Sequence, residues 1–168
     1  MADIKVTVNG REHMVSASAD TPLLYVLMNE LELRGPRFGC GLAQCGSCSV
    51  LVDGVELRAC VTPVSKVAGK AVTTLEGLSA LYAQQKKLTQ APALHPVAQA
   101  FLDQQAPQCG YCYNGMLIKG AELLAQNPRP TAAQIRTHMN GHLCRCGTYP
   151  RVMKAIELAS ASMAGGAK

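Results

Sequence analysis

The stretch FGCGLAQCGSC, Phe38 to Cys48, places three cysteines and three glycines within eleven residues. The chain has two phenylalanines and no tryptophan, so bulky apolar residues are scarce while sulfur is concentrated. Two further stretches, QCGYCYNG at 108–115 and HLCRCGTYP at 142–150, hold four more cysteines, and Cys60 is the eighth. The eight fall into two sets of four. The first is Cys40-x4-Cys45-x2-Cys48 with Cys60 after eleven intervening residues. That spacing matches the C-x4-C-x2-C…C run of plant-type [2Fe–2S] ferredoxins. A chain that wraps a small cluster must curl tightly, and Gly39, Gly41 and Gly46 allow the curl and bring backbone N–H groups to the sulfurs. The plainer alternative is a four-cysteine zinc site, but zinc sites more often use paired C-x2-C knuckles. The second set is Cys109-x2-Cys112, thirty-one residues, then Cys144-x-Cys146. Its spacing serves zinc and iron–sulfur equally.

At 168 residues the chain has room for one domain or two small ones. Small domains with thin cores use metal or covalent staples. The start, MADIKVTVNGREH, lacks the apolar stretch of a secretory signal, so a cytoplasmic chain is expected, with export beside a targeted partner as the alternative. In a reducing compartment eight cysteines point to metal rather than disulfides. A net charge of +5, scattered rather than striped, argues against nucleic-acid binding. No apolar run reaches the ~18 residues of a membrane span.

Residues 1–77 carry α/β periodicity. IKVTV and REHMVSA flank Asn9-Gly10, a hairpin signal. Thr21 and Pro22 open a helix with Leu24, Leu27, Met28 and Leu31 on one face, stopped by Gly35-Pro36. SVLVDGVELR is a second hairpin around Asp53-Gly54, and AVTTLE at 71–76 a last strand. Residues 78–93 are expected as a linker. Residues 94–168 have helical period. Val97, Ala98, Phe101 and Leu102 form one stripe; Met116, Leu117, Gly120, Ala121 and Leu124 form another, ended by Asn127-Pro128. Thr131 and Gln134 make a capping box opening a third helix that ends near Asn140-Gly141. Thr148 and Pro150 open a fourth, with Val152, Met153 and Ile156 inward. Both cysteine pairs of the second set fall at helix ends.

The order CGLAQCGSC…C, QCGYC, LCRCGTYP resembles the iron–sulfur subunit of xanthine-oxidase-family molybdenum hydroxylases, over nearly the whole chain. It is most similar to the separate small subunits of the isoquinoline 1-oxidoreductase, nicotinate dehydrogenase and aldehyde dehydrogenase type. The resemblance implies an α+β fold: a plant-type ferredoxin-like β-grasp domain, 1–77, then an all-α four-helix [2Fe–2S] domain, 94–168. It implies two [2Fe–2S] clusters, on Cys40, Cys45, Cys48 and Cys60 and on Cys109, Cys112, Cys144 and Cys146. It implies a large partner subunit holding molybdenum on molybdopterin, in the cytosine dinucleotide form, touched by Gln108 and lying nearest Cys146. The substrate-transforming site would be on that partner, acting on an aldehyde or N-heteroaromatic compound, with a cytochrome c subunit or other carrier as acceptor. Many relatives follow the second C-x2-C with Thr-Pro-Gly; this chain has Tyr113-Asn114-Gly115.

Other residues have plain readings beside functional ones. Arg145, between two thiolates, either offsets cluster charge or is a solvated arginine. Tyr111, Tyr113 and Tyr149 shield the second site, face the partner, or pack. His142 lies two residues before Cys144, but four cysteines already complete that set; His13, His95 and His138 have no ligand spacing. No GxGxxG, P-loop, HExxH, Ser/His/Asp or paired-carboxylate pattern is present. The competing functions are a zinc-stapled binding module and a free-standing ferredoxin; the helical half is superfluous to the latter.

Overall fold

Asn9 and Gly10 both take positive φ, 51° and 77°, the geometry of a type I′ turn. They join β1 (Ala2–Val8) to β2 (Arg11–Ala17) in an antiparallel pair. Asp53 and Gly54 repeat the device at φ 50° and 84° between β3 (Ser49–Val52) and β4 (Val55–Arg58). The computed structural model describes residues 2–165; Met1 and residues 166–168, at the ends of the two expected domains, lie outside the described residues. β5 (Ala71–Thr73) completes a five-stranded sheet of order β2-β1-β5-β3-β4, parallel only between β1 and β5. The last strand is shorter than the expected 71–76. Asn9 takes the Thr74 N–H on its Oδ1 and donates Nδ2 to the Thr74 hydroxyl, both at 2.9 Å, so the ladder ends there.

The first helix also departs from expectation. α1 (Leu23–Tyr25) runs straight into a π-turn over Val26–Glu30, and Pro22 is its cap, with no side-chain cap bond from Thr21. Leu31 N–H reaches back to Val26 and Leu33 N–H to Leu27, which ends the helix before Gly35-Pro36. The widened turn keeps Leu24 and Leu27 buried and lays Met28, Leu31 and Leu33 along the sheet core.

The remaining helices are α2 (Leu78–Lys86), α3 (Pro96–Asp103), α4 (Tyr113–Gln126), α5 (Ala132–His138) and α6 (Tyr149–Gly165). The result is a mixed α/β fold, with a five-stranded sheet and six α-helices among the described residues. The capping box of Thr131 and Gln134 is formed at α5, which stops at His138, slightly short of Asn140-Gly141. Phe101, Ile135 and Ile156 are wholly buried in the helical core. Leu102, expected on the buried stripe of α3, is 54% exposed, and Ala100 takes the inward place.

Residues 78–93, expected as a linker, begin with a full helix. Leu78 of α2 packs with Leu51 of β3 and Ile118 and Ala121 of α4 in a small third core that joins the sheet to the helices. His95, two residues beyond the segment, caps α3 by accepting from Val97 N–H at 3.1 Å. Burial pushes its imidazole down to about 4, so it is neutral and free to accept.

Candidate metal centres

The loop before β3 turns its backbone inward on the first cysteines. Gly41, Ala43 and Gly46 hold positive φ, 68°, 59° and 83°, and the N–H groups of Leu42, Gln44 and Cys45 lie 3.2–3.4 Å from Cys40 Sγ. Cys40 N–H in turn lies 3.4 Å from Cys45 Sγ. Such a nest is built for a negative sulfur. Burial works to raise the Cys40 thiol, but the three N–H groups outweigh it and bring the thiol down to about 7. Cys48, leading into β3, and Cys60, just past β4, form a second thiol pair, both buried. Burial pushes Cys48 up to about 12. A Cβ on Gly39 would sit 2.6 Å from Cys45 Sγ, so only glycine lets the chain pass so close to that sulfur.

The second set is assembled by helix ends. Cys112 caps α4, and Cys144 and Cys146 lie on the α5–α6 connection. The thiols pair as Cys109 with Cys146 and Cys112 with Cys144. Burial opposes ionisation of Cys144, yet the Thr148 hydroxyl and N–H lower it to about 7; burial raises Cys112 to about 12. Cys144 N–H donates to the Tyr149 hydroxyl at 2.8 Å, fixing the loop onto α6.

Each set is therefore two sulfur pairs. A [2Fe–2S] cluster takes two thiolates on each of two irons, and Cys40/Cys45 with Cys48/Cys60, and Cys109/Cys146 with Cys112/Cys144, have that form. A zinc site needs four ligands at about 2.0–2.3 Å from one centre. The two sets share a cavity of 450 Å³, lined by Cys40, Cys45, Cys109, Cys112 and Cys144 with Arg145 at its side. Gln108 and Cys109 are exposed, and Cys146 is half-buried. Tyr111 and Tyr149 stand exposed beside them, whereas Tyr113 is buried against Phe101.

Between the sets runs a buried polar seam that spacing does not disclose. Glu56 on β4 lies 3.1 Å from Arg58 Nη1 and 3.4 Å from Lys119 Nζ on α4. Glu122 on α4 is 3% exposed; it accepts from the Glu56 N–H at 2.7 Å and lies 2.6 Å from Lys119 and 2.9 Å from His138. His142 Nε2 sits 3.1 Å from Arg58 Nη1 and 3.3 Å from Glu56 Oε1. Burial and the Arg58 charge hold His142 below its ordinary value despite Glu56, so near neutral pH it contributes a hydrogen bond rather than a charge. The histidine's partners are 84 and 86 residues away in sequence, and only its place before Cys144 hinted at a role.

The seam predicts an acid-sensitive stability. Burial alone would raise the Glu56 carboxyl, but the hydrogen bonds of His142 and Ser49 and the charge of Arg58 hold it at about 2. Its contribution is complete above the unfolded value of 4.5 and is lost as pH falls toward 2. At pH 3.5 the unfolded carboxylate is mostly protonated and the folded one is not, a loss on the order of 1 kcal/mol relative to neutral pH. Denaturant unfolding of the cluster-free chain should show the gap between wild type and Glu56→Gln shrinking by that amount from pH 6 to pH 3.5. A pH-independent gap would remove Glu56 from this role.

Residues 6–72 match the 2Fe-2S iron-sulfur cluster binding domain family and residues 74–157 the [2Fe-2S] binding domain family. One nicotinate dehydrogenase subunit from Pseudomonas putida is 47% identical over 157 residues, covering 94% of each chain. The alpha chain of isoquinoline 1-oxidoreductase from Brevundimonas diminuta is 43% identical, covering 94% of this chain and 97% of that one. Among solved structures, a chain of quinoline 2-oxidoreductase from Pseudomonas putida 86 superposes with a TM-score of 0.85 at 31% identity, over 98% of this chain and 97% of that one. The chain belongs to the iron–sulfur subunits of the xanthine-oxidase family of molybdenum hydroxylases, an electron-transfer component with two [2Fe–2S] clusters whose catalytic centre lies on a partner subunit.

Proposed function

We propose that Cys40, Cys45, Cys48 and Cys60 hold one [2Fe–2S] cluster and Cys109, Cys112, Cys144 and Cys146 the other, on a ferredoxin-like β-grasp domain (1–77) and a four-helix domain (94–168) joined through 78–93. The chain relays electrons from a molybdopterin centre, in the cytosine dinucleotide form, on a large partner subunit to an external acceptor. An N-heteroaromatic compound or aldehyde is the electron source, and a cytochrome c or similar carrier the sink. When bound, such clusters accept one electron each, so a two-electron oxidation is divided into single steps. The observation that carries the reading is the pair of four-sulfur sites opening on one cavity beside an exposed Gln108–Cys109 segment. Gln108 and Cys146 then face the partner's pterin. The nest around Cys40 lowers the charge cost of a reduced site, because its N–H dipoles point at the sulfur. No helix among the described residues is long and apolar enough to cross a membrane.

Purification from native extract tests this. The chain should co-purify with a molybdenum-containing large subunit, red-brown, with four irons and four acid-labile sulfides per chain. The interface should be that of an obligate complex, roughly 2,000 Å² or more. A colourless, zinc-saturated protein that is fully functional, or a free monomer with no molybdenum in any fraction, would sink it.

A further inference from the structure

In the segment Tyr113-Asn114-Gly115, which opens α4, one side-chain amide reaches across to the chain around Cys48. Asn114 is the second residue of α4, two positions after Cys112, and is 2% exposed. Its Nδ2 donates to two carbonyls, Ser47 O at 2.9 Å and Ser49 O at 2.8 Å, which flank Cys48. Its own Oδ1 is buried without a partner. A side chain that leaves one polar atom unpaired in a core is held there for its two donors, since an apolar residue of similar volume would fill the space without that cost. No other natural side chain of this size offers two N–H groups in one plane without a charge. Around it the two cysteine loops touch directly. A Cβ on Gly115 would stand 2.1 Å from Gly46 O, and Leu143 N–H, one residue before Cys144, donates to Cys45 O at 2.9 Å.

We propose that Asn114 is a positioning residue for electron passage between the two sites. Its carboxamide locks the Cys48 segment onto the helix capped by Cys112, and so fixes the gap that one electron crosses as the helical site is oxidised and the ferredoxin-like site reduced. This rests on the two cysteine sets holding clusters. Proline can replace Asn114 without removing a helical bond, because the Asn114 N–H lies in the first turn of α4, where no intrahelical acceptor exists.

The experiment compares Asn114→Leu, which fills the volume without donors, and Asn114→Pro, with wild type, each in the assembled complex at measured iron content. Three readouts are taken: the splitting of electron paramagnetic resonance lines by coupling between the two reduced sites, the rate of electron transfer between them, and hydrogen exchange of amides 45–50. Both variants should keep four irons, exchange those amides roughly tenfold to a hundredfold faster because two hydrogen bonds are gone, narrow or lose the splitting, and slow inter-site transfer several-fold. Unchanged splitting and inter-site rate, with or without faster exchange, would overturn the proposal and leave Asn114 a packing residue. Loss of iron from both variants would overturn it too, making Asn114 a retention residue. Wild-type complex without iron is a different failure, that of the cluster reading itself, and takes the proposal with it.

Discussion

Gly115→Ala is expected to disrupt the junction of the two halves, with a loss of ~3 kcal/mol or more in stability. The added Cβ would meet Gly46 O at 2.1 Å and Gly46 C at 2.7 Å, and the His142 ring at 3.1 Å. Backbone cannot swing aside as a flexible side chain does. The obstructed atoms belong to a residue at φ +83° that is itself crowded by the Arg58 and His142 side chains. Either α4 moves off the cysteine loop, breaking both Asn114 bonds, or the loop shifts and carries Cys45 and Cys48 with it. Alanine's better helix propensity returns up to ~1 kcal/mol, too little to change the sign. Gly120→Ala on the same helix is the control. It has a similar propensity gain, and the atoms nearest its Cβ position are side-chain atoms of Val97 and Ile156, at 3.2 Å and beyond. Thermal unfolding of the two variants separates them: Gly115→Ala should melt far below wild type and lose iron from the first set, and Gly120→Ala should stay close to it. Equal melting of both would mean the loop and α4 are less tightly apposed than described.

Local signals were fully legible where the cause is local. Asn9-Gly10 and Asp53-Gly54 fix both hairpins through φ > 0, and Thr131 with Gln134 caps α5 within four residues. The cysteine spacings suggested two groups of four, and within them the thiols stand as neighbours in pairs such as Cys48 with Cys60 and Cys112 with Cys144. What stayed hidden depends on contacts distant in sequence. The π-turn at Val26–Glu30 answers to the sheet beneath it. α2 was masked by its polar centre, since few of its side chains are buried: Leu78 packs with Leu51 and Ile118, Leu81 lies partly buried against them, and Ala83 is the other buried residue. Glu56, Arg58, Glu122 and His142 form no motif, because β4, α4 and the α5–α6 loop bring them together only after both halves have folded. Asn114 was visible as a departure from a pattern, but its reason, the carbonyls of Ser47 and Ser49, lies 67 and 65 residues away.

Cys45→Ala in the assembled complex should abolish turnover with the external acceptor, by at least roughly a hundredfold, while substrate still reduces the site of Cys109, Cys112, Cys144 and Cys146. The asymmetry follows from placement. The segment Gln108–Cys109 is exposed with Tyr111 and Tyr149 beside it, a face suited to a partner. The loop of Cys40–Cys48 leaves Leu42 66% exposed at its outer bend, a face suited to an acceptor. The two sites meet across the shared cavity, so a relay from one face to the other passes both in turn. Alanine at 45 removes one sulfur of the first set. It leaves intact the Cys45 carbonyl that accepts from Leu143 N–H, so the loop carrying Cys144 and Cys146 keeps its anchor. Stopped-flow absorbance or freeze-quenched electron paramagnetic resonance after substrate addition distinguishes the orders. Signal from the helical site, appearing at the wild-type rate and then persisting, is the expected result. Failure of substrate to reduce that site in the variant would reverse the direction, placing the Cys40–Cys60 set between the partner's catalytic centre and the helical site.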